Sequence, residues 1–181
     1  MMNNQTFENF TQKLQPMLWQ KARALADGNI RGLLLIGPCG VGKTHISMAV
    51  YNALQAGALP GECRVKFTTE TELLSKIRAS YHDNHGDSEA QILNVLKAVP
   101  MLIIDDLCKY TPQDASFRNR ILFELIDFRC QRGRGLLASA NNTVEELTAS
   151  LGEPIIDRLR DMCEVLTLKG KSQRGLRGKN I

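Results

Sequence analysis

Gly37-Pro38-Cys39-Gly40-Val41-Gly42-Lys43-Thr44 is the stretch on which the reading of this 181-residue chain turns. It fits G-x-x-x-x-G-K-[ST], a phosphate-binding loop in which glycines let the backbone bend around a phosphate with no Cβ in the way. The apolar run Leu33-Leu34-Leu35-Ile36 precedes it, and a stretch from Thr44 to Gln55 follows with Ile46, Ala49, Val50, Ala53 and Leu54 at roughly helical period. The loop therefore falls where a buried strand turns into a helix, the context that the motif requires. Backbone N–H groups and a helix N-terminus at that point favour an anion. In such a loop Lys43 reaches the β- and γ-phosphates of a nucleotide and Thr44 ligates Mg²⁺.

A second chemical element lies about 60 residues further on, at Met101-Leu102-Ile103-Ile104-Asp105-Asp106. Four apolar residues followed by two acids describe a buried parallel strand ending in carboxylates, as in a Walker B motif. Ligands collect at the carboxyl ends of parallel strands, which puts Asp105 near the phosphates, holding Mg²⁺ directly or through water. Asp106 is placed to orient and deprotonate an attacking water. An extra strand, Val65-Lys66-Phe67-Thr68, stands between the two motifs, so together they specify one α/β architecture.

Composition narrows the class. Apolar residues make up 43% of the chain and charged residues 23%, as in a globular domain. No secretory signal is present and the apolar runs fall far short of a membrane span, so a cytoplasmic protein is expected. Five scattered cysteines, Cys39, Cys63, Cys108, Cys130 and Cys163, form no C-x-x-C pair and fit a reducing compartment. Cys39, inside the phosphate loop, is expected to be sensitive to alkylation rather than catalytic. Five of the 23 Lys and Arg residues (Lys169, Lys171, Arg174, Arg177, Lys179) and no acid lie beyond Leu168, so the body is near neutral and the tail carries the net +4. Such a tail either neutralises nucleic-acid phosphates or is a solvated terminus.

The remaining segments supply helices and strands. Phe7 and Phe10 stand out in a polar opening, and Leu14, Met17, Leu18, Ala22 and Leu25 follow helical spacing around Pro16 up to a turn at Asp27-Gly28-Asn29. Gly57 is read as a C-terminal cap. Thr69 with Glu72, Ser88 with Gln91 and Thr143 with Glu146 are capping boxes that open three helices. His82 and His85, beside Asp83 and Asp87, belong to a surface loop, because no further ligand cluster supports a metal there. A long helix is predicted from about Ala115 to Arg132, with Ile121, Leu122, Leu125, Ile126 and Phe128 on its apolar face. The fourth strand, Leu136 to Ala140, ends in Asn141-Asn142, an amide that either reads the γ-phosphate and positions water or simply forms a turn. Pro154 suits the start of the helix carrying Asp157-Arg158-Leu159-Arg160, and Val165-Leu166-Thr167-Leu168 is the fifth strand.

These motifs, with Phe7-Glu8-Asn9-Phe10, Thr44-His45, Ala138-Ser139-Ala140-Asn141, Leu151-Gly152-Glu153, Asp157-Arg158-Leu159 and Gly170-Lys171-Ser172-Gln173-Arg174, carry a resemblance that spans nearly the whole chain. The chain resembles the AAA+ ATPase core of the DnaC/DnaI/IstB group, the bacterial replicative-helicase loaders and transposition helper ATPases. The Walker motifs are common to P-loop ATPases; the paired aspartates, His45 and the Gly-x-Ser-x-Arg ending are more specific. The resemblance implies a P-loop NTPase of the AAA+ (ASCE) type, with a five-stranded parallel sheet in the order 5-1-4-3-2 and helices on both faces. It implies ATP and Mg²⁺ as cofactors and Asn141 as sensor 1. It implies Arg158 as an arginine finger on ATP held by a neighbouring subunit, with Arg160 beside it. Nucleotide contacts are expected from Gly37 through His45 and from Arg174. The expected division is an N-terminal segment over 1–30, an ATPase domain over 31–168 and a basic tail over 169–181. So little chain follows the fifth strand that no helical lid is expected, in agreement with this group. Loaders usually carry an extra N-terminal domain that grips the helicase; here the match begins almost at Met1, so the chain is expected to be a minimal protein or a fragment.

Function then divides into readings with separate tests. The first is a helicase loader for DNA replication, a homo-oligomer assembling on single-stranded DNA, with a replicative helicase as partner and Lys76, Arg78 and the tail along the DNA path. The second is an IstB-like helper ATPase that binds duplex DNA and a transposase. The third is a small-molecule kinase, disfavoured because no lid or substrate-binding insert is evident. The fourth is a non-hydrolysing ATP switch: Asp106 is shorter than the usual glutamate, so slow turnover, stimulated by a partner or DNA, is expected.

Overall fold

The computed structural model describes residues 5–10, 15–82, 86–108 and 114–170. Among them the chain runs α1 (Pro16–Ala26), β1 (Gly32–Ile36), α2 (Lys43–Ala56), β2 (Val65–Thr69), α3 (Glu70–Ser80), α4 (Glu89–Ala98), β3 (Met101–Leu107), α5 (Ala115–Gln131), β4 (Gly135–Ala140), α6 (Val144–Leu151), α7 (Glu153–Met162) and β5 (Glu164–Thr167). The strands form one parallel sheet in the order β2-β3-β4-β1-β5, the order that the resemblance implies, read from the other edge.

Alternation along the strands sorts side chains between the two faces of the sheet. Leu33, Leu35, Ile103 and Leu137 point to one side, where they pack with Leu18, Ala22 and Leu25 of α1, Ile46, Ala49 and Val50 of α2, and Phe7 and Phe10. Leu34, Ile36, Leu102, Ile104, Leu136 and Ala138 point to the other, against α3 to α7. Both faces of the central strands are covered, which is why those strands read as unbroken apolar runs.

Local signals hold where side chains reach their own backbone. Thr69–Glu72, Ser88–Gln91 and Thr143–Glu146 are reciprocal capping boxes at the starts of α3, α4 and α6. Pro16 sits in the first turn of α1 and Pro154 in that of α7, where a missing N–H costs nothing. Gly57 does occupy the C-cap of α2, but at φ −88°, so the left-handed conformation that favours glycine is not used there. On α5 the buried face is Arg118, Ile121, Leu122, Leu125, Ile126 and Arg129, while Phe128 is only half-buried, beneath Lys97 and Arg132. Among the described residues no helix is long and apolar enough to cross a membrane.

Candidate nucleotide site

The phosphate loop joins β1 to α2 at the carboxyl edge of the sheet. Two of its glycines are required by their surroundings. Gly37 has φ +154° and a Cβ there would stand 2.5 Å from the Leu168 carbonyl oxygen; Gly42 has φ +106° and a Cβ would stand 3.0 Å from the Phe10 ring. Val41 is buried and anchors the loop to the core, while Pro38 and Cys39 are exposed at its tip. Lys43 is only 5% exposed. Its ammonium donates to the Gly37 oxygen at 2.6 Å, the Pro38 oxygen at 2.9 Å and Asn141 Oδ1 at 2.8 Å. The cation is thereby aimed back over the loop, where a phosphate chain would lie.

Asp105 follows Ile103 by two residues, so alternation puts its side chain on the α2 face. There Thr44 donates its hydroxyl to Asp105 Oδ2 at 2.7 Å. Ser139 of β4, itself fully buried, donates to Asp105 Oδ1 and accepts the Asp106 N–H at 3.1 Å. Ladder pairing between β3 and β4 slips after Ile104: Ile104 faces Ala138 and Leu107 faces Ala140, leaving one extra residue on β3. Asp106, at φ +58°, lies in this bulge, and Asn141 Nδ2 donates to its Oδ1 at 3.3 Å. Cys108 is also left-handed, at φ +54°. For a non-glycine residue this conformation costs about 1–2 kcal/mol, so surrounding bonds must hold it.

Thr6-Phe7-Glu8-Asn9-Phe10 folds over the first turn of α2. The Phe10 ring stands edge-on to His45, 5.4 Å between centroids, and Asn9 Oδ1 lies 2.9 Å from His45 Nε2. Phe7 packs against Trp19, whose indole donates to the Phe7 oxygen at 3.1 Å.

Lys43, Thr44, Asp105, Asp106 and Asn141 thus meet at one edge, with His45 beside them. Arg158 is held elsewhere, between helices. Its Nε donates to Asp127 Oδ1 of α5 at 2.7 Å and its Nη1 to Asp157 at 2.9 Å; Asp127 raises the guanidinium pKa further. Arg160 lies 3.7 Å from Glu153. Lys76 pairs with Asp87 at 3.5 Å, and Arg78 stacks over Phe117 at 5.0 Å. Arg174, most of the basic tail and His85 lie outside the described residues.

The geometry adds residues that the motifs did not single out. Ser139 is one: a small hydroxyl in an apolar strand, at the alternation that faces Asp105. Arg129 is another, fully buried and bonded to the carbonyl oxygens of Leu96, Val99, Pro100 and Gly135, with its pKa lowered to about 10 by burial. Glu70, the first residue of α3, is buried and accepts the Cys108 N–H at 2.9 Å; burial raises its pKa.

The donor set fits a nucleotide and a hard cation. The glycine cradle leaves room that a Cβ would fill, and the Thr44 hydroxyl and Asp105 carboxylate are paired hard oxygens of the kind Mg²⁺ takes. Among the described residues no cluster of three or more His, Cys, Asp or Glu suggests another metal.

A phosphate loop on β1, an acid pair on β3 and an intervening β4 ending in Asn141, within a 2-3-4-1-5 parallel sheet, give a P-loop NTPase fold of the AAA+ type. The chain belongs to the family of IstB-like ATP binding proteins, which matches residues 4–180. It is 32% identical over 162 residues to the replicative helicase loader DnaC of Escherichia coli K12, covering 87% of this chain and 63% of that protein. It is 29% identical over 180 residues to a putative insertion sequence ATP-binding protein of Sinorhizobium fredii, covering 93% of this chain and 57% of that one. The chain therefore spans about three-fifths of the length of these relatives. A crystal structure of the DnaC helicase loader superposes with a TM-score of 0.78 at 20% identity, covering 93% of this chain and 98% of that one.

Proposed function

We propose that the chain binds and hydrolyses ATP and serves as an AAA+ helicase loader in DNA replication, assembling on single-stranded DNA to load or remodel a replicative helicase. The observation that carries the enzymatic part is the convergence of Lys43, Thr44, Asp105, Asp106 and Asn141 on one edge of the sheet. In this reading the loop N–H groups and Lys43 bind the phosphates. Thr44 and Asp105 hold Mg²⁺, which neutralises charge on the β- and γ-phosphates. Asp106 accepts a proton from the attacking water, and Asn141, bonded to both Lys43 and Asp106, sets the water's place. His45 and Arg174 contact the nucleotide, and Arg158 of a neighbouring subunit stabilises charge developing on the γ-phosphate. An arrangement in trans makes the isolated subunit slow and makes assembly on DNA or a partner stimulatory. The loader assignment rests on the 32% identity to DnaC.

A second reading, a transposition helper that binds duplex DNA and a transposase, is favoured by the likeness to an insertion sequence ATP-binding protein over 93% of the chain. Phosphate release is to be measured with no DNA, single-stranded DNA and duplex DNA, on the natural chain and Arg158→Ala, with size followed by light scattering. Stimulation and assembly on single strands, with the stimulation lost in the variant, supports the loader. Response to duplex DNA alone supports the helper. Phosphate transfer only to an added small acceptor would move the assignment to a kinase.

A further inference from the structure

The acid pair stands on a bulge whose backbone is fixed from both sides. Asp106 and Cys108 are non-glycine residues in the left-handed region, two positions apart. Each has its N–H taken by a side chain from a neighbouring element: Asp106 by Ser139 Oγ of β4 at 3.1 Å, and Cys108 by Glu70 Oε2, just past β2, at 2.9 Å. Ser139 also holds Asp105 and so belongs to the magnesium side of the site. Glu70 has no such link. It is 5% exposed, and its carboxylate reaches the turn from the side opposite Ser139.

Burying a carboxylate is unfavourable unless it is bonded and balanced. The balance here is Arg118 on α5, whose charge acts on both Glu70 and Cys108. Arg118 is 1% exposed and bonded through Nη2 to Ser150, and its buried Nη1 has no hydrogen-bond partner among the described residues. A hydrophobic residue at position 70 would avoid burying a carboxylate, but it would leave the Arg118 charge unbalanced and the Cys108 N–H without its acceptor. What the glutamate adds is an acceptor for one N–H, at the left-handed residue just past the bulge and the end of β3.

We propose that Glu70 is a positioning residue for hydrolysis: by holding the Cys108 N–H it fixes the β3 bulge and so the aim of Asp106. In this role Glu70 acts through the backbone between Cys108 and Asp106. The inference rests on Asp106 being the group that takes the water's proton. A displacement of about 1 Å at such a group lowers rate by up to about 100-fold, so loss of the anchor reads in kcat rather than in ATP affinity.

The test compares Glu70→Gln, which keeps an acceptor oxygen, with Glu70→Met, which keeps the length and removes it. Glu70→Met is expected to lower kcat by about 10- to 100-fold with ATP affinity within about twofold, and Glu70→Gln to restore most of the loss. In an Asp106→Ala background Glu70→Met is expected to add nothing, because the group it positions is gone. A readout without nucleotide is amide exchange at Cys108: protected in the natural chain and in Glu70→Gln, faster by at least about tenfold in Glu70→Met. The natural-chain measurement stands even if Glu70→Met does not fold. Exchange at Cys108 as fast as in an open turn overturns the proposal, as does a kcat loss that remains in full on Asp106→Ala. If Asp106→Ala itself leaves hydrolysis unchanged, the role given to Asp106 fails and the Cys108 amide alone decides whether Glu70 anchors the turn.

Discussion

Thr44 donates its hydroxyl to Asp105 Oδ2 at 2.7 Å, which ties the first turn of α2 to the end of β3. The two motifs are about 60 residues apart in sequence, yet this bond makes them one ligand pair. If that pair holds Mg²⁺, Thr44→Val and Asp105→Asn lower ATP affinity in the presence of Mg²⁺ by about 10- to 100-fold. Equilibrium binding with and without a chelator checks this. The natural chain loses affinity when Mg²⁺ is removed; each variant binds weakly in both conditions.

Cys39 is exposed at the tip of the phosphate loop and Cys63 is exposed in the loop before β2, while Cys108 and Cys163 are buried, the Cys163 thiol pushed up to about 12 by burial. Maleimide labelling followed by peptide mass analysis is therefore expected to mark Cys39 and Cys63 first. ATP with Mg²⁺ protects Cys39 and leaves Cys63 unchanged. Protection of both, or of neither, would contradict a nucleotide in this loop.

The site was legible in sequence wherever chemistry sits in a contiguous run. Gly37 to Thr44 and Met101 to Asp106 carry both their residue types and their flanking elements in one stretch, and the three capping boxes are closed within four residues. The residues that were not legible act across the sheet. Ser139 meets Asp105 only through the parallel pairing of β3 with β4, and Glu70 meets Cys108 only because β2 lies beside β3. The bulge that sets Asp106 has no residue of its own to announce it, since neither Asp106 nor Cys108 is glycine. On α5, helical period places Arg118 and Arg129 on the buried face with Leu122 and Leu125; reading charge as exposure hides them and promotes Phe128 instead.

Arg129 closes four carbonyl oxygens at the amino edge of the sheet, from Leu96, Val99, Pro100 and Gly135. Truncation takes the side-chain donor from all four, although the Pro100 oxygen also accepts the Gly135 N–H at 2.9 Å, and a lysine lacks the planar fork that serves them together. Arg129→Leu is expected to destabilise the fold by about 3–5 kcal/mol, and Arg129→Lys by a substantial part of that. Urea unfolding measures it. A loss below about 1 kcal/mol would show the carbonyls to be satisfied by water.

Burial raises the Glu70 pKa above its usual carboxylate value, so the native chain binds this proton more readily than the unfolded chain does. In the window from the unfolded value of 4.5 up to the raised folded one, stability falls as pH rises, and above that window the penalty on the carboxylate is constant. Glu70→Gln cannot titrate. The melting temperature of Glu70→Gln relative to the natural chain is therefore expected to climb as pH rises from about 4.5 through the raised folded value and then to level off. A difference that is flat over that range would mean that Glu70 titrates alike in both states.

Arg158 is 38% exposed in its side chain and bonded to Asp127 through Nε, so α5 orients the guanidinium while part of it faces outward from α7. A partly exposed pair of this kind contributes little to folding, and Arg158→Ala is expected to leave the melting temperature nearly unchanged. If the guanidinium acts on a neighbour's ATP, the same change lowers hydrolysis by the assembled protein by about 10³-fold or more and leaves ATP binding intact. Mixing separates this from a role within one subunit. Arg158→Ala chains keep the acid pair, and Asp106→Ala chains keep the arginine. An interface that joins the first chain's nucleotide site to the second chain's α7 has every group it needs. Mixed assemblies of two inactive variants should therefore recover hydrolysis, in proportion to the fraction of such interfaces. No recovery, in mixtures that light scattering shows to assemble, would place the arginine's effect within its own subunit and remove the trans arrangement from the mechanism.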